Sequence, residues 1–423
     1  MSINEKIKDL NILIIGAGPA GLSLARLLQQ EKGCKNVIVV ERDVDRNTRI
    51  GGSSLDLHES TGLRFIKRAN LFEDFKNICR PEGESITIAN KDGKVILRKP
   101  HLKINSKKPE IDRGDLRRLL IDSLLPDTIL WNHHFISLEE QPLDGTTIVT
   151  FKNGTSIKAD LVIGADGANS KIRPYVNDIS LKYSGITLIE FEIENPKQVC
   201  PEIYDLVDNG LFYALSDEKG FIVQLKGDGN LIIYLSCKRD ENWIKESGFD
   251  FKKKEFKEIK EFIKNNVLSD WSDIYKNLLD NAVEPFITRP LYSIPFEPMI
   301  EWKSKSNITL IGDSAHTIVP YAGKGINEGM ADSCDLIDCL FEVDNEEKEF
   351  NLHKRLNKYE SLMHQRILEA GNDSNDAKEI VHDNNACNLL VDRFLGSYKY
   401  IKSLIPFYTY FINSLTDSFG YSI

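Results

Sequence analysis

No stretch of the chain approaches the roughly 18 consecutive apolar residues that a membrane-spanning helix needs, so no membrane span is expected. Basic residues are not in excess. The 54 Lys and Arg stand against 64 Asp and Glu, a net charge of −10, whereas a nucleic-acid binder needs a basic face. Cysteines are few and scattered, at 34, 79, 200, 237, 334, 339 and 387, with no CxxC pair. An odd, dispersed set excludes a disulfide framework or a zinc finger and predicts reduced thiols in a cytoplasmic protein. Cys334 and Cys339 fall on a predicted helix and read as packed thiols rather than a metal pair. There is no HExxH, no Ser-His-Asp grouping and no cluster with metal-ligand spacing, so hydrolytic and metal chemistry lack their usual carriers. The first ten residues carry both charge signs and lack the apolar core of a signal peptide. Internal repeats and low-complexity tracts are also missing.

What is present begins at Asn11. The run Asn-Ile-Leu-Ile-Ile leads into Gly16-x-Gly18-x-x-Gly21. Its apolar part is too short for a buried helix and reads as a central parallel strand. Pro19 suits a first helical turn. Gly16 permits the tight turn, Gly18 lets the backbone approach a pyrophosphate at the helix N-terminus, and Gly21 lets helix and strand pack closely. A second strand, 36–40, ends in Glu41, about 20 residues past the last glycine, where a ribose-binding carboxylate belongs. The expected contacts of a bound dinucleotide are therefore Gly16, Gly18, Ala20, Gly21, Glu41 and its neighbour Arg42. The fingerprint alone leaves NAD and FAD open.

The strand-then-glycine pattern recurs twice. Residues 160–167 give an apolar strand ending in Gly164-Ala-Asp166-Gly167, and residues 308–313 another ending in Gly312-Asp313. Between them, 187–193, 211–214, 221–225 and 230–237 read as strands of a mostly antiparallel sheet, with turns at 218–220 and 227–229. Residues 59–75, 251–267 and 269–281 have helical spacing. One sheet is interrupted by another and then resumed. The expected organisation is a discontinuous Rossmann-like nucleotide-binding domain (1–80, 106–180 and 296–345), an inserted substrate domain (81–105 and 181–295) and C-terminal helices (346–423). The aromatic tail from Leu389 predicts a packed helix rather than a membrane anchor.

After Gly312-Asp313-Ser-Ala-His316 comes Pro320-Tyr321-Ala-Gly323-Lys324-Gly325-Ile-Asn327. A helix is expected to start near Lys324 to Asn327, and its free N–H groups suit a negatively charged or electron-rich group. Asp313 can accept hydroxyl hydrogen bonds from a sugar or ribityl chain.

Together these motifs resemble the single-component, FAD-dependent aromatic hydroxylases with the p-hydroxybenzoate hydroxylase fold. The glycine fingerprint matches their first motif, Asp166-Gly167 their middle one and Gly312-Asp313 their third. Arg113-Gly-Asp-Leu116 matches their Arg-x-x-Leu element. Within that group the resemblance is strongest to the tetracycline-inactivating monooxygenases of the TetX type. It rests on Arg49-x-x-Gly52-x-x-Leu-Asp56-Leu-His58, on Arg113 with its flanks, and on the segment from Pro320 to Asn327.

The resemblance implies an α/β enzyme that binds FAD at the glycine loop, Asp56, Arg113, Asp166, Gly167, Asp313, Pro320, Gly323, Gly325 and Asn327. Arg49 would contact NADPH. NADPH would reduce FAD, O2 would react with the reduced flavin, and a hydroxyl would pass to an electron-rich carbon. The flavin carries the chemistry, so no catalytic side chain is assigned, and His316 is given a loop-positioning role. Two departures stand out. Lys324 replaces the family's glycine-loop glutamine. Where the tetracycline enzymes place a glutamine, an arginine and a histidine on the substrate sheet, an ungapped reading finds Glu190, Leu211 and Ile232. These three, with Tyr321, are the expected substrate contacts. The substrate is expected to be an electron-rich aromatic or enolic polycyclic compound, with tetracycline inactivation as one case, and the protein a monomer. Two alternatives remain: a flavin-dependent dehydrogenase or reductase on the same fold, and a flavin-binding module without catalysis. A second GxGxxG unit, which a flavin disulfide reductase would carry, is absent. The four tryptophans are isolated, against the Trp-x-Trp-x-x-Pro-like element of a flavin halogenase.

Overall fold

The computed structural model describes residues 3–48, 52–100, 108–249, 251, 253–295, 302, 304–343 and 350–395 of the chain. It divides into two compact units. The first comprises Met1–Cys79, Glu110–Ser184 and Tyr292–Asn375, the second Arg80–Pro109, Gly185–Leu291 and Asp376–Ile423. The architecture is α/β: a Rossmann-like parallel sheet, a separate and mostly antiparallel sheet, and C-terminal helices.

The first unit is built on a five-stranded sheet in the order Ile308–Leu310, Leu161–Gly164, Ile12–Ile15, Val37–Val40, Ile129–Leu130. Every pairing is parallel. The three inner strands are buried almost throughout. That explains their unbroken runs of Ile, Leu and Val, since a parallel sheet covered on both faces leaves no position for alternating polar residues. The helix Pro19–Arg26 follows the first strand with Gly18 as its N-cap and Pro19 opening the first turn. The helix Gly325–Leu340 packs beside it and carries Cys334 and Cys339, both buried. All seven cysteines are free thiols.

The 59–75 segment is not one helix. It forms Gly62–Arg68 and Phe72–Lys76, broken at Asn70, which takes a left-handed φ of 56°. A three-stranded antiparallel meander, Phe135–Gln141, Thr146–Phe151 and Ser156–Ala159, completes the unit's sheets beside the short pair Ser54–Asp56 and Glu110–Asp112.

The second unit is organised by a seven-stranded sheet. Its order is Val283–Ser293, Lys182–Ile193, Leu231–Lys238, Lys219–Leu225, Leu211–Ser216, Ile86–Ala89, Val95–Lys99. One pairing among these, Leu211–Ser216 with Ile86–Ala89, is parallel. The hairpin expected at 218–220 turns instead at Asp217 and Glu218, both with positive φ. Gly220 lies inside a strand, where a Cβ would come within 2.6 Å of Leu215. Phe191, Phe212, Phe221, Val223, Ile233 and Leu235 line one sheet face and form the core with Trp271 and Tyr275. The helix Phe256–Asn266 begins at a capping box between Glu255 and Glu258. The edge strand Val283–Ser293 and the helices Pro196–Val199 and Pro201–Val207 have no counterpart in the sequence reading. Most of the aromatic tail lies outside the described residues; its first part is the helix Ala386–Leu395. No helix among the described residues is long and apolar enough to cross a membrane.

Candidate functional site

The three glycine turns of the first unit meet. Gly16 takes φ +118°, and a Cβ there would stand 2.2 Å from the Ala165 carbonyl oxygen, one residue before Asp166. A Cβ on Gly21 would stand 2.2 Å from the Gly16 oxygen. On the other side, the Ala20 methyl is 2.9 Å from where a Gly312 Cβ would be and 3.1 Å from that of Gly329. The helices opening at Pro19 and Gly325 are therefore in backbone-close contact near their N-termini, which explains the small residues at 20, 312 and 329. Gly18 differs from its neighbours: a Cβ there would meet nothing within 4 Å. The space above it is open, and the first-turn N–H groups behind it have no intrahelical acceptor.

The walls of this site are charged. Glu41, buried, accepts the Ala17 N–H at 2.8 Å and the Asp43 N–H at 3.1 Å on different oxygens. It thereby locks the glycine loop, and each oxygen keeps a lone pair for a hydroxyl. Arg42 is exposed beside it. Asp56 comes close to the left-handed turn at Gly323, where a Cβ would lie 2.7 Å from Asp56 Oδ1, and His58 Nε2 sits 2.9 Å from the other oxygen. Asp313 is exposed at the start of the short helix Asp313–His316. Its carboxylate accepts no hydrogen bond from any described residue.

Several expected contacts are engaged elsewhere. The side chain of Asn327 is buried and saturated. Its oxygen accepts from the His58 and Gly62 N–H groups, and its amide donates to the carbonyls of Asp56 and Gly323. It braces the Asp56 strand against the Gly325 helix, leaving its backbone N–H for a ligand. Asp166 binds the Lys171 N–H at 2.7 Å and the Ser314 hydroxyl at 3.1 Å, and Gly167 N–H donates to the same hydroxyl. This pair ties the second glycine turn to the third. The Ala20 side chain is likewise spent on packing. Pro320 opens a single helical turn leading to Gly323. Lys324 pairs with Asp373 at 2.8 Å. Arg49 lies outside the described residues.

Two arginines that the sequence reading passed over hold the turns. Arg113 is exposed with its stem against Gly52. One helical turn later, Arg117 is buried, donates to the Ala17 carbonyl at 3.3 Å and stacks over Trp131. Arg173, also buried, donates to the carbonyls of Ala168, Asp313 and Ser314 at 2.8–2.9 Å. Burial lowers the Arg173 pKa, with Asp166 and Asp313 opposing. Spacing gave a faint signal for Arg117, four residues past Arg113, and none for Arg173.

In the second unit, Glu190, Leu211 and Ile232 share the sheet face opposite the aromatic core. Register aligns Leu211 with Gln224, Gln224 with Ile232 and Ile232 with Glu192; one step along, Glu190 aligns with Tyr234. Glu190 is held by Arg289 through two bonds of 2.6 and 3.2 Å, and Glu192 pairs with Lys226 at 3.0 Å. Arg289 went unseen because its strand went unseen. Tyr321 belongs to the turn before Gly323 in the first unit, on a different unit from these three.

A family model described as FAD binding domain matches residues 9–370. A monooxygenase of Penicillium thymicola, penA, is 28% identical over 374 residues, covering 79% of this chain and 85% of its own. Klebsiella pneumoniae HpxO, solved in complex with FAD and uric acid, superposes with a TM-score of 0.72 at 16% identity over 93% of each chain. The tetracycline destructase Tet(55) superposes with a TM-score of 0.69 at 21% identity, over 89% of this chain and 91% of its own. At such identities the superpositions establish a shared fold.

Proposed function

The chain belongs to the FAD binding domain family and is a flavin-dependent monooxygenase, and on that premise we propose that it uses NAD(P)H and O2 to hydroxylate an electron-rich aromatic or enolic compound. In balance, substrate C–H, O2, NAD(P)H and a proton give substrate C–OH, water and NAD(P)+. Bound FAD supplies the electron relay and the activated oxygen atom.

One observation carries the reading: two helix N-termini and three glycine turns converge around the open space at Gly18. A pyrophosphate suits that space, because first-turn N–H groups bind anions and no side chain stands in the way. Glu41, with a lone pair left on each oxygen, is suited to an adenosine ribose. Asp313, whose carboxylate has no hydrogen-bond partner among the described residues, is suited to ribityl hydroxyls, and Arg113 and Arg42 offer exposed cations. The N–H groups opening the Gly325 helix suit the electron-rich edge of an isoalloxazine ring. Arg117 and Arg173 hold the loops from behind, so these donors need little reorganisation when the cofactor binds.

For the substrate, the sheet face carrying Glu190, Leu211 and Ile232 is the selecting surface in this proposal. Its ion pair Glu190–Arg289 is self-satisfied, and Leu211 and Ile232 offer only apolar contact. A site built to grip many hydroxyls and carbonyls is poorly replaced by such a surface. We therefore favour a flat aromatic or enolic compound less densely oxygenated than tetracycline. The protein is proposed to act as a cytoplasmic monomer.

The purified chain should bind FAD, and its NAD(P)H oxidation should accelerate with a phenolic or enolic compound. A screen reading oxygen uptake and product mass tests this. A product gaining one oxygen atom supports the reading. NAD(P)H consumption that yields only hydrogen peroxide across aromatic and polyketide compounds favours the dehydrogenase or reductase alternative.

A further inference from the structure

Behind the Gly312 turn lies a charge cluster of which the flavin reading uses only His316, as a loop-positioning residue. His316 and Asp332 are fully buried. One oxygen of Asp332, Oδ2, accepts both His316 Nε2 and the Gly312 N–H, each at 2.6 Å. The other oxygen, Oδ1, is held by Arg366 Nη2 at 2.6 Å. Arg366 also binds Glu328 and reaches Asp335 at 3.1 Å. Burial by itself would raise the Asp332 carboxyl, yet His316 and Arg366 hold it at about 2, and Asp332 in turn raises His316 against the cost of burial. The ionised pair is thus favoured at neutral pH.

Such a cluster is a weak source of stability. Desolvating its members offsets much of their mutual attraction, and apolar replacements of similar volume are often neutral or stabilising. Its geometry suggests a different use. Gly312 and His316 are the two ends of the one-turn helix Asp313–His316, and Asp332 grips both. Gly312 itself adopts φ 59° and ψ −145°, a conformation essentially confined to glycine. Within that turn Ser314, Ala315 and His316 are buried, and Asp313 is the exposed residue.

We propose that Asp332 is a positioning residue for the cofactor: by clamping both ends of the Asp313–His316 turn it fixes the direction in which the Asp313 carboxylate leaves the fold. This rests on the FAD reading above. The clamp serves the ribityl-facing turn; the glycine loop that would take the ADP half touches that turn through Ala20 but has its own holds, Glu41 on the Ala17 N–H and Arg117 on the Ala17 carbonyl.

The test uses the full chain with Asp332→Asn, and His316→Gln as a second variant that keeps the Asp332–Gly312 bond. FAD and ADP affinities are measured by fluorescence quenching and calorimetry, and amide exchange of Gly312 is followed in the cofactor-free protein. For Asp332→Asn, FAD should bind about 10- to 100-fold more weakly, the scale of a lost charge-assisted hydrogen bond. ADP affinity should hold within about twofold, and Gly312 exchange should speed up. His316→Gln should shift FAD in the same direction by less. FAD affinity unchanged in both variants, or ADP affinity falling in step with FAD, overturns the proposal. If the wild-type chain refuses FAD, the cofactor reading fails, and Gly312 exchange alone then decides the clamp: faster exchange in the variants supports it, unchanged exchange refutes it.

Discussion

The two large sheets place their constraints in different parts of the residue. In the parallel sheet the restriction falls on the backbone. Its three turns approach so closely that Gly16, Gly21 and Gly312 leave no room for a Cβ, and Gly164 would drive one to 2.6 Å from Leu310. In the antiparallel sheet the restriction falls on one face. Phe191, Phe212 and Phe221 interlock with Trp271 and Tyr275, while the opposite face tolerates Glu190 beside Ile232. A cofactor site built from backbone cannot drift without loss of the fold. The face proposed to select the substrate, built from side chains away from the aromatic core, can be rewritten position by position while that core stays intact. The proposed division of labour between a fixed chemistry and a variable specificity rests on that difference.

The sharpest way to break this comparison is a pair of alanine substitutions in one loop. Gly16→Ala forces a Cβ onto the Ala165 carbonyl at a φ of +118° and should cost at least about 3 kcal/mol of stability, from strain and overpacking together. Denaturant unfolding of the cofactor-free chain measures it. Gly18→Ala sits at φ −81° in open space. It should leave that stability unchanged and weaken FAD about 100-fold or more by blocking the close approach of the pyrophosphate. If Gly18→Ala binds FAD normally, the pyrophosphate does not lie over this loop.

Acid sensitivity sharpens the contrast from the second unit. His382, buried and bonded to the Ser236 hydroxyl at 2.7 Å, has its pKa lowered to about 4, chiefly by burial. The fold holds it neutral, and the unfolded chain takes up a proton below about 6.5. Its contribution is therefore complete above about pH 6.5 and is lost as pH falls to about 4, up to about 3 kcal/mol. His364 in the first unit is shifted the same way and acts in the same window. His382→Gln should flatten the dependence of stability on pH between 4 and 6.5 without abolishing it. An unchanged slope would mean that His382 is protonated in the fold.

Smaller effects separate the two sites functionally. Asp313→Ala should weaken FAD about tenfold or somewhat more, since it removes one charged acceptor. Unchanged flavin retention would remove Asp313 from the site. Arg289→Leu frees the Glu190 carboxylate on the sheet face, so it should change KM for the substrate about tenfold with FAD affinity intact. The stability cost should be about 1–3 kcal/mol, because Arg289 is half exposed but the Glu190 carboxylate it leaves unpaired is mostly buried. A variant that loses flavin instead would contradict the assignment of that face to substrate.

The same physics explains what could be read from the chain alone. The parallel strands, Pro19 at the helix start, the Gly325 helix and the two-sheet plan were legible because buried parallel strands and glycine turns leave little choice of residue. Arg117, Arg173 and the Asp332 cluster were not, since most of their partners lie from 16 to 141 residues away and nothing local marks them. Gly220 misled by composition: it is a strand glycine cleared for Leu215, and the turn beside it is made by Asp217 and Glu218. Asn327 was legible only by position: it stands at a helix start that suits a ligand, while its side chain is committed to the backbone around Asp56. The strand carrying Arg289 was missed because its own sequence, Val-Glu-Pro-Phe-Ile-Thr-Arg-Pro, lacks alternation and holds two prolines, as edge strands allow.

The most direct measurement is a single-turnover reaction of the FAD-loaded chain, reduced with NADPH without oxygen and then mixed with isotopically labelled O2 and an aromatic or enolic compound selected by oxygen uptake. A flavin monooxygenase should release that compound carrying one labelled oxygen atom. Reoxidation that leaves the compound unlabelled, with all the oxygen recovered as hydrogen peroxide, would contradict the hydroxylation proposed here.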